Sequence, residues 1–386
     1  MVAGEASGDQ LGAHLIRAMR RHLPEARFVG IGGPRMEAEG FEAWVPSEAL
    51  AVRGLFEVLR HWLPIARIRN RLKRRLLADP PDAFVGIDAP DFNLGLERQL
   101  KARGIPTIHY VGPSVWAWRR GRLRTIARAV SHMLVLFPFE PAHYREHGIP
   151  VTYVGHPLAD DFPLDPDLAG TRERLGLAED APVFAVLPGS RQSEIEYMAE
   201  PFIGAIRLLH QRFPAALFLV PLASRETRLL FETALYRLGA QDLPVKLLFG
   251  HAHDALAAAD GVLVASGTAT LEAALMKRPM AIAYRLSPWT YRIARRIVRL
   301  SFVGLPNILA GRFVVPEFIQ DAVTPENLAQ ALGNLVSDRV TCARLSRLFA
   351  DMHRMLRQDT AERAAAAILP LLREDGACLL PSGQAA

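Results

Sequence analysis

Short apolar runs alternate with amphipathic stretches along almost the whole chain. Val2-Ala3, residues 28–31, Trp44-Val45, 83–87, 107–111, 133–137 and 151–154 have the length and composition of strands. Between the first two, Leu11, Leu15, Ala18 and Met19 recur at helical spacing. Seven strands alternating with helices predict a complete Rossmann-type unit. Residues 159–170 are polar and proline-rich and read as a linker. A second series follows, with strands over 183–187, 216–220, 245–249, 261–264 and 280–284. Amphipathic patterns over 326–335, 342–355 and 361–372 predict terminal helices, and the tail from Glu374 reads as frayed. The expected fold class is α/β, with Rossmann-like domains over 1–165 and 166–340. Helices over 341–373 are expected to pack back across the domains or onto a partner subunit, ahead of a tail over 374–386.

Composition narrows the function classes. At 386 residues the chain exceeds what one core usually serves. Cys342 and Cys378 are its only cysteines, which excludes a disulfide framework or a zinc cluster and points to a reducing compartment. No apolar run reaches the roughly 18 residues of a membrane span, and Met1 leads straight into Val2-Ala3-Gly4-Glu5, so no signal peptide is expected. The net charge of +6 suits nucleic acid, a phosphorylated small molecule or an anionic membrane surface. Without a zinc finger, an RNP-like aromatic motif or a helix-turn-helix, nucleic acid is not the expected partner.

Residues 53–77 stand out. Leu55, Phe56, Leu59, Trp62 and Leu63 cluster before Pro64, and Ile65, Ile68, Leu72 and Leu76 follow at helical spacing. Arg60, Arg67, Arg69, Arg71, Lys73, Arg74 and Arg75 lie between them. Such a segment is either a core-facing helix pair with a solvated basic face or a contact for a membrane surface or acyl phosphate.

Open parallel sheets place ligands beyond the C-terminal ends of their strands, so the loops there carry the candidate chemistry. Gly4-Glu5-Ala6-Ser7-Gly8-Asp9 follows the first strand, and its small residues would let a ligand approach a helix N-terminus. Gly86-Ile87-Asp88-Ala89-Pro90-Asp91-Phe92-Asn93 sets a carboxylate at a strand end, where Asp88 or Asp91 is either a helix cap or a catalytic group. In the second half, Pro188-Gly189-Ser190-Arg191 and Ala265-Ser266-Gly267-Thr268 both join a strand to a helix through small, hydroxyl-bearing residues. Their backbone N–H groups, the Arg191 guanidinium and the Glu272 carboxylate suit a nucleoside diphosphate, with Glu272 accepting from ribose hydroxyls. Neither loop is a Walker A motif or a G-x-G-x-x-G fingerprint. Asp88 and Asp91 are too far apart for a D-x-D metal motif, so no metal or other cofactor is expected.

The motifs together resemble the lipid-A-disaccharide synthases. The resemblance rests on Gly4-Glu5-Ala6-Ser7-Gly8-Asp9, Gly33-Pro34-Arg35-Met36, the Gly86–Asn93 stretch and Pro113-Ser114-Val115-Trp116-Ala117-Trp118. It continues through Leu187-Pro188-Gly189-Ser190-Arg191, Ala265–Ala269 with Leu271-Glu272, Leu305-Pro306-Asn307 and Leu309-Ala310-Gly311-Arg312. The family pattern has further residues ahead of Val2 that complete the first strand, and serine is common where Gly112 stands.

The resemblance implies a GT-B glycosyltransferase, two Rossmann-like domains facing a central cleft. UDP-2,3-diacylglucosamine would donate its sugar to the 6-hydroxyl of 2,3-diacylglucosamine 1-phosphate, with inversion, giving a β-1,6 disaccharide 1-phosphate and UDP. It implies Asp88 as general base. Gly189, Ser190, Arg191, Ser266, Gly267, Thr268, Glu272 and Asn307 would bind the UDP-sugar, and Glu5, Ser7, Gly8 and Asp9 would form an acceptor-side loop. Leu55, Phe56, Leu59, Trp62, Arg67, Arg71 and Arg74 become the contact to membrane or acyl chains, at the cytoplasmic face of the inner membrane. A homodimer exchanging C-terminal helices is a further implication. Another GT-B UDP-sugar transferase or a UDP-sugar epimerase is the alternative within the fold.

Overall fold

A computed structural model describes residues 1–50, 55–113, 115, 120–297 and 301–372, without the side chains at 48, 55–63, 120, 293, 294 and 297. The chain forms two compact units, the first from Met1–Asp160 together with the chain from Leu356, the second from Asp161–Met355.

Unit 1 holds seven parallel strands: β1 (Val2–Ala3), β2 (Val29–Gly32), β3 (Glu42–Pro46), β4 (Phe84–Ile87), β5 (Thr107–Tyr110), β6 (His132–Val135) and β7 (Val151–Tyr153). Their order is β3-β2-β1-β4-β5-β6-β7. Period-two alternation sorts each strand between two cores. On β4, Val85 and Ile87 pack in one core with Leu15 and Ile16 of the helix Ala6–His22 and with Ala364, Ala365 and Ile368 of the helix Thr360–Ile368. Phe84 packs in the other with Leu72, Leu76, Leu96 and Leu100. Burial on both sides explains why β4 reads as an unbroken apolar run.

Unit 2 holds β8 (Val183–Leu187), β9 (Leu217–Leu222), β10 (Val245–Phe249), β11 (Gly261–Ala265), β12 (Met280–Tyr284) and β13 (Glu317–Ile319). They run in the order β10-β9-β8-β11-β12-β13, all parallel. Strand β13 is absent from the sequence expectation; its three residues carry a glutamate and form no apolar run.

Each sheet reverses its winding once, between β1 and β4 in unit 1 and between β8 and β11 in unit 2. These switch points are where the loops diverge and a ligand finds a crevice.

The helix Leu55–Ala78 runs continuously through Pro64, where the sequence suggested a pair of helices. A mid-helix proline removes one hydrogen bond and bends the axis without ending the helix when packing holds both sides. Among the described residues no helix is long and apolar enough to cross a membrane.

Candidate functional site

At the unit 1 switch point, β4 ends at Ile87 and the chain turns sharply. Asp88 (φ 51°) and Ala89 (φ 42°) are both left-handed, an uncommon state for two consecutive residues with side chains. Pro90 then opens the helix Pro90–Lys101, its fixed φ suiting the first helical position. The turn is held at both ends. The Asp88 N–H donates to Tyr110 O (2.8 Å) and the Asn93 amide donates to Asp88 O (2.9 Å). The Asp88 carboxylate itself is partly buried and makes no hydrogen bond or ion pair among the described residues. Neither Asp88 nor Asp91 caps the helix: the cap residue is Ala89, with no side-chain bond, and Asp91 pairs with Arg122.

The loop after β1 lies beside this turn, since a Cβ at Gly4 would sit 3.5 Å from Ala89 Cβ. Gly8 lets the following helix press onto β1 and β4, with Ala3 and Ile87 as its neighbours. Asp9 is buried and committed to the fold. It accepts from Gly33 N (2.9 Å), Arg35 N (3.0 Å) and Met36 N (3.1 Å), capping the helix Pro34–Ala38. This explains why the Gly4–Asp9 and Gly33–Met36 motifs occur together. Glu5 and Ser7 remain exposed at the strand end. Trp116 and Trp118 lie outside the described residues.

Beneath the turn sits a polar group that the sequence reading missed. Glu97 and His109 are fully buried, with Glu97 Oε1 2.7 Å from His109 Nδ1. Burial pushes the Glu97 carboxyl above its ordinary range, against the pull of His109. The available signal was a glutamate four residues after Asn93, on an otherwise apolar helix face.

In unit 2, β8 and β11 are neighbours, with Leu187 opposite Val264, so the loops after them leave the sheet side by side. Gly189 has φ 130°, and a Cβ there would lie 2.5 Å from Glu194 Cβ. The Ser190 and Arg191 N–H groups donate to Glu194 Oε2 at 2.8 and 3.2 Å. Two of the amides expected to be free thus hold an internal carboxylate, while the Ser190 and Arg191 side chains are exposed. Gly267, at φ 150°, precedes the helix Thr268–Leu275, and Gly267 and Thr268 are exposed. Ser266 donates through Oγ to Val303 O (3.2 Å).

Glu272 lies one turn into that helix, 18% exposed, 3.5 Å from His253 Nε2. The Glu272 carboxylate raises the His253 pKa, chiefly through their hydrogen bond. Asn307 is fully buried and structural. Its amide donates to Val315 O and Glu317 Oε1, and its carbonyl accepts from Val314 N and Val315 N. No atom of its side chain is left for a ligand.

Basic surface appears in both units. Along 65–76 the apolar side faces unit 1's own core through Leu72 and Leu76, and Arg67, Arg71 and Arg74 are exposed. Arg75 stacks over Trp44, 3.6 Å from the ring centroid. The side chains of Leu55, Phe56, Leu59 and Trp62 lie outside the described part. In unit 2 the helix Pro288–Ile297 exposes Arg292, Arg295 and Arg296, beside Trp289 at 73% exposure.

Comparison with known proteins follows the same lines. The family model described as "Lipid-A-disaccharide synthetase" matches residues 1–368. A lipid-A-disaccharide synthase of Aromatoleum aromaticum is 59% identical over 372 residues, 96% of this chain and 95% of that protein. Among solved structures, UDP-GlcNAc 2-epimerase from Neisseria meningitidis, bound to UDP-GlcNAc, aligns with a TM-score of 0.60 at 11% identity, covering 94% of this chain and 97% of the other. The calicheamicin glycosyltransferase CalG4 aligns at 0.58 and 17% identity, covering 96% of each chain. At these identities the two structures show the GT-B fold alone.

Proposed function

The chain belongs to the lipid-A-disaccharide synthase family, and from that membership we propose how its two units divide the reaction. It is a glycosyltransferase that forms the lipid A disaccharide from a UDP-linked sugar and a sugar phosphate. In our reading the donor is UDP-2,3-diacylglucosamine and the acceptor is 2,3-diacylglucosamine 1-phosphate.

Unit 1 supplies the base. The observation that carries this is the Asp88 carboxylate, partly buried at a sheet switch point, on a turn held by hydrogen bonds at both ends, and uncommitted among the described residues. Asp88 takes the proton of the acceptor 6-hydroxyl as its oxygen attacks the donor anomeric carbon. The bond from that carbon to the UDP oxygen breaks, and the configuration inverts in a single displacement. Unit 2 receives the leaving charge. The Arg191 guanidinium, Ser190 and the start of the helix Thr268–Leu275 surround the diphosphate, and Glu272 accepts from the ribose. For the loop amides of Ser190 and Arg191 to join them, the diphosphate has to displace Glu194.

Arg67, Arg71 and Arg74, with Arg292, Arg295 and Arg296, support a peripheral seat on the anionic cytoplasmic face of the inner membrane, where acylated substrates reside. The test is turnover of purified enzyme with both acylated substrates. Disaccharide and UDP form in equal amounts, and Asp88→Asn lowers kcat by about 10² to 10⁴-fold with UDP-sugar affinity unchanged. Substantial turnover in Asp88→Asn removes Asp88 from the role of base.

A further inference from the structure

The Asp88 turn sits on three polar atoms without a partner among the described residues. Asn93 Oδ1, Glu97 Oε2 and His109 Nε2 are all buried and make no hydrogen bond there. Asn93 and Glu97 are one turn apart on the helix Pro90–Lys101, and His109 lies on β5 directly opposite Gly86 of β4. Gly86 is the floor of the arrangement. A Cβ there would lie 2.2 Å from Glu97 Oε1 and 3.0 Å from Asn93 Cβ, so only glycine lets both side chains lie on the strand.

A buried ionisable pair with orphaned atoms is a poor device for stability. Apolar side chains of the same volume usually hold a core as well or better. What this pair does is geometric. Its 2.7 Å bond ties the helix to β5. The same helix, one turn earlier, presents Asn93 to the Asp88 carbonyl at 2.9 Å. The β5 strand, one residue beyond His109, accepts from the Asp88 amide through Tyr110 O. Both clamps on the left-handed Asp88 therefore belong to the two elements that the Glu97–His109 bond joins.

We propose that Asn93, with the buried Glu97–His109 pair behind it, is the positioning device of the Asp88 base, holding helix and strand in the register that keeps the Asp88–Ala89 turn left-handed and its carboxylate aimed at the acceptor hydroxyl. The inference rests on the reading of Asp88 as base. A misplacement of about 1 Å in a reacting group can cost on the order of a hundredfold in rate, so the device acts on the chemical step and leaves substrate binding alone.

The experiment measures kcat, acceptor KM, UDP affinity and the thermal midpoint for Glu97→Gln, Glu97→Leu with His109→Phe, Asn93→Ala and Asp88→Asn. Glu97→Gln keeps an acceptor for His109 and retains kcat within about threefold of wild type. The Glu97→Leu, His109→Phe double variant folds with an unchanged or higher midpoint, yet loses at least about tenfold in kcat with acceptor KM and UDP affinity within twofold. Asn93→Ala, which leaves the pair intact, shows the same split and keeps the inference testable should the double variant fail to fold. Wild-type kcat in both the double variant and Asn93→Ala, with Asp88→Asn inactive, overturns the positioning role and leaves the base in place. A fall in kcat accompanied by a matching loss of midpoint and a raised KM also overturns it, as the sign of a merely structural pair. Wild-type turnover in Asp88→Asn overturns the base reading itself.

Discussion

Asp9, Asp88 and Asp91 all stand in the loops and first helical turns beside the unit 1 switch point, and neighbours separate their roles. Asp9 is surrounded by three backbone donors, Asp91 pairs with Arg122, and the Asp88 carboxylate makes no hydrogen bond or ion pair among the described residues. Asp9→Ala should destabilise the protein by about 2–4 kcal/mol, because buried N–H groups lose a charged acceptor. Urea unfolding reads this directly, and an unchanged midpoint would remove Asp9 as the cap. His156 gives a pH prediction. It is buried, its Nδ1 accepts from Leu158 N (3.2 Å), and burial lowers its pKa from 6.5 to about 4. Between those values the unfolded chain binds a proton that the folded chain refuses. The stability from neutral His156 is therefore full above pH 6.5 and falls as pH drops toward 4. At pH 5 the loss amounts to about 2 kcal/mol, and His156→Gln should flatten it in unfolding curves compared at pH 7 and pH 5.

At the scale of elements, Pro64 in the helix Leu55–Ala78 is the clearest case of packing overriding local preference. The proline signal in the sequence suggested a break. Burial of Leu72 and Leu76, with Ile65 and Ile68 packed against the same core, keeps the second half in place. Pro64→Ala should raise stability by about 1–3 kcal/mol by restoring a backbone hydrogen bond, and a lower urea midpoint would show that the bend itself is needed. Central strands such as β4, β8 and β11 were legible because burial on both faces demands continuous apolar runs. Strand β13 was not, since its three half-buried residues include Glu317 and form no apolar run. The Asn93–Glu97 helix face was legible as a helix and illegible as a site. Its glutamate gains a meaning only when β5 brings His109 against it.

Over the whole molecule, both units use the same strand order around the switch point, and each places its candidate residues there. Ligand linkage should follow that division. UDP at about 100 times its Kd should stabilise the site that binds it by about 2.7 kcal/mol. Amide-exchange protection should gather on the loops after β8 and β11 in unit 2. Arg191→Ala should weaken UDP binding by about 10- to 100-fold, the loss of a charge-assisted contact. Calorimetric titration showing an unchanged affinity would take Arg191 out of the site.

The sequence by itself determined the alternation of strands and helices, the doubling of the Rossmann-type unit, the positions of the strand-end loops and the family. All of these follow from local periodicity, turn residues and motifs contiguous along the chain. Only the tertiary structure decided which side chains are free to act. It buried Asn307 in four internal hydrogen bonds, bound Asp9 to a neighbouring helix, set Glu194 on the loop amides and placed the Glu97–His109 pair under Asp88. The physical reason is that hydrogen bonds and burial are satisfied between residues far apart in the chain, so no local pattern records whether a polar group is already taken.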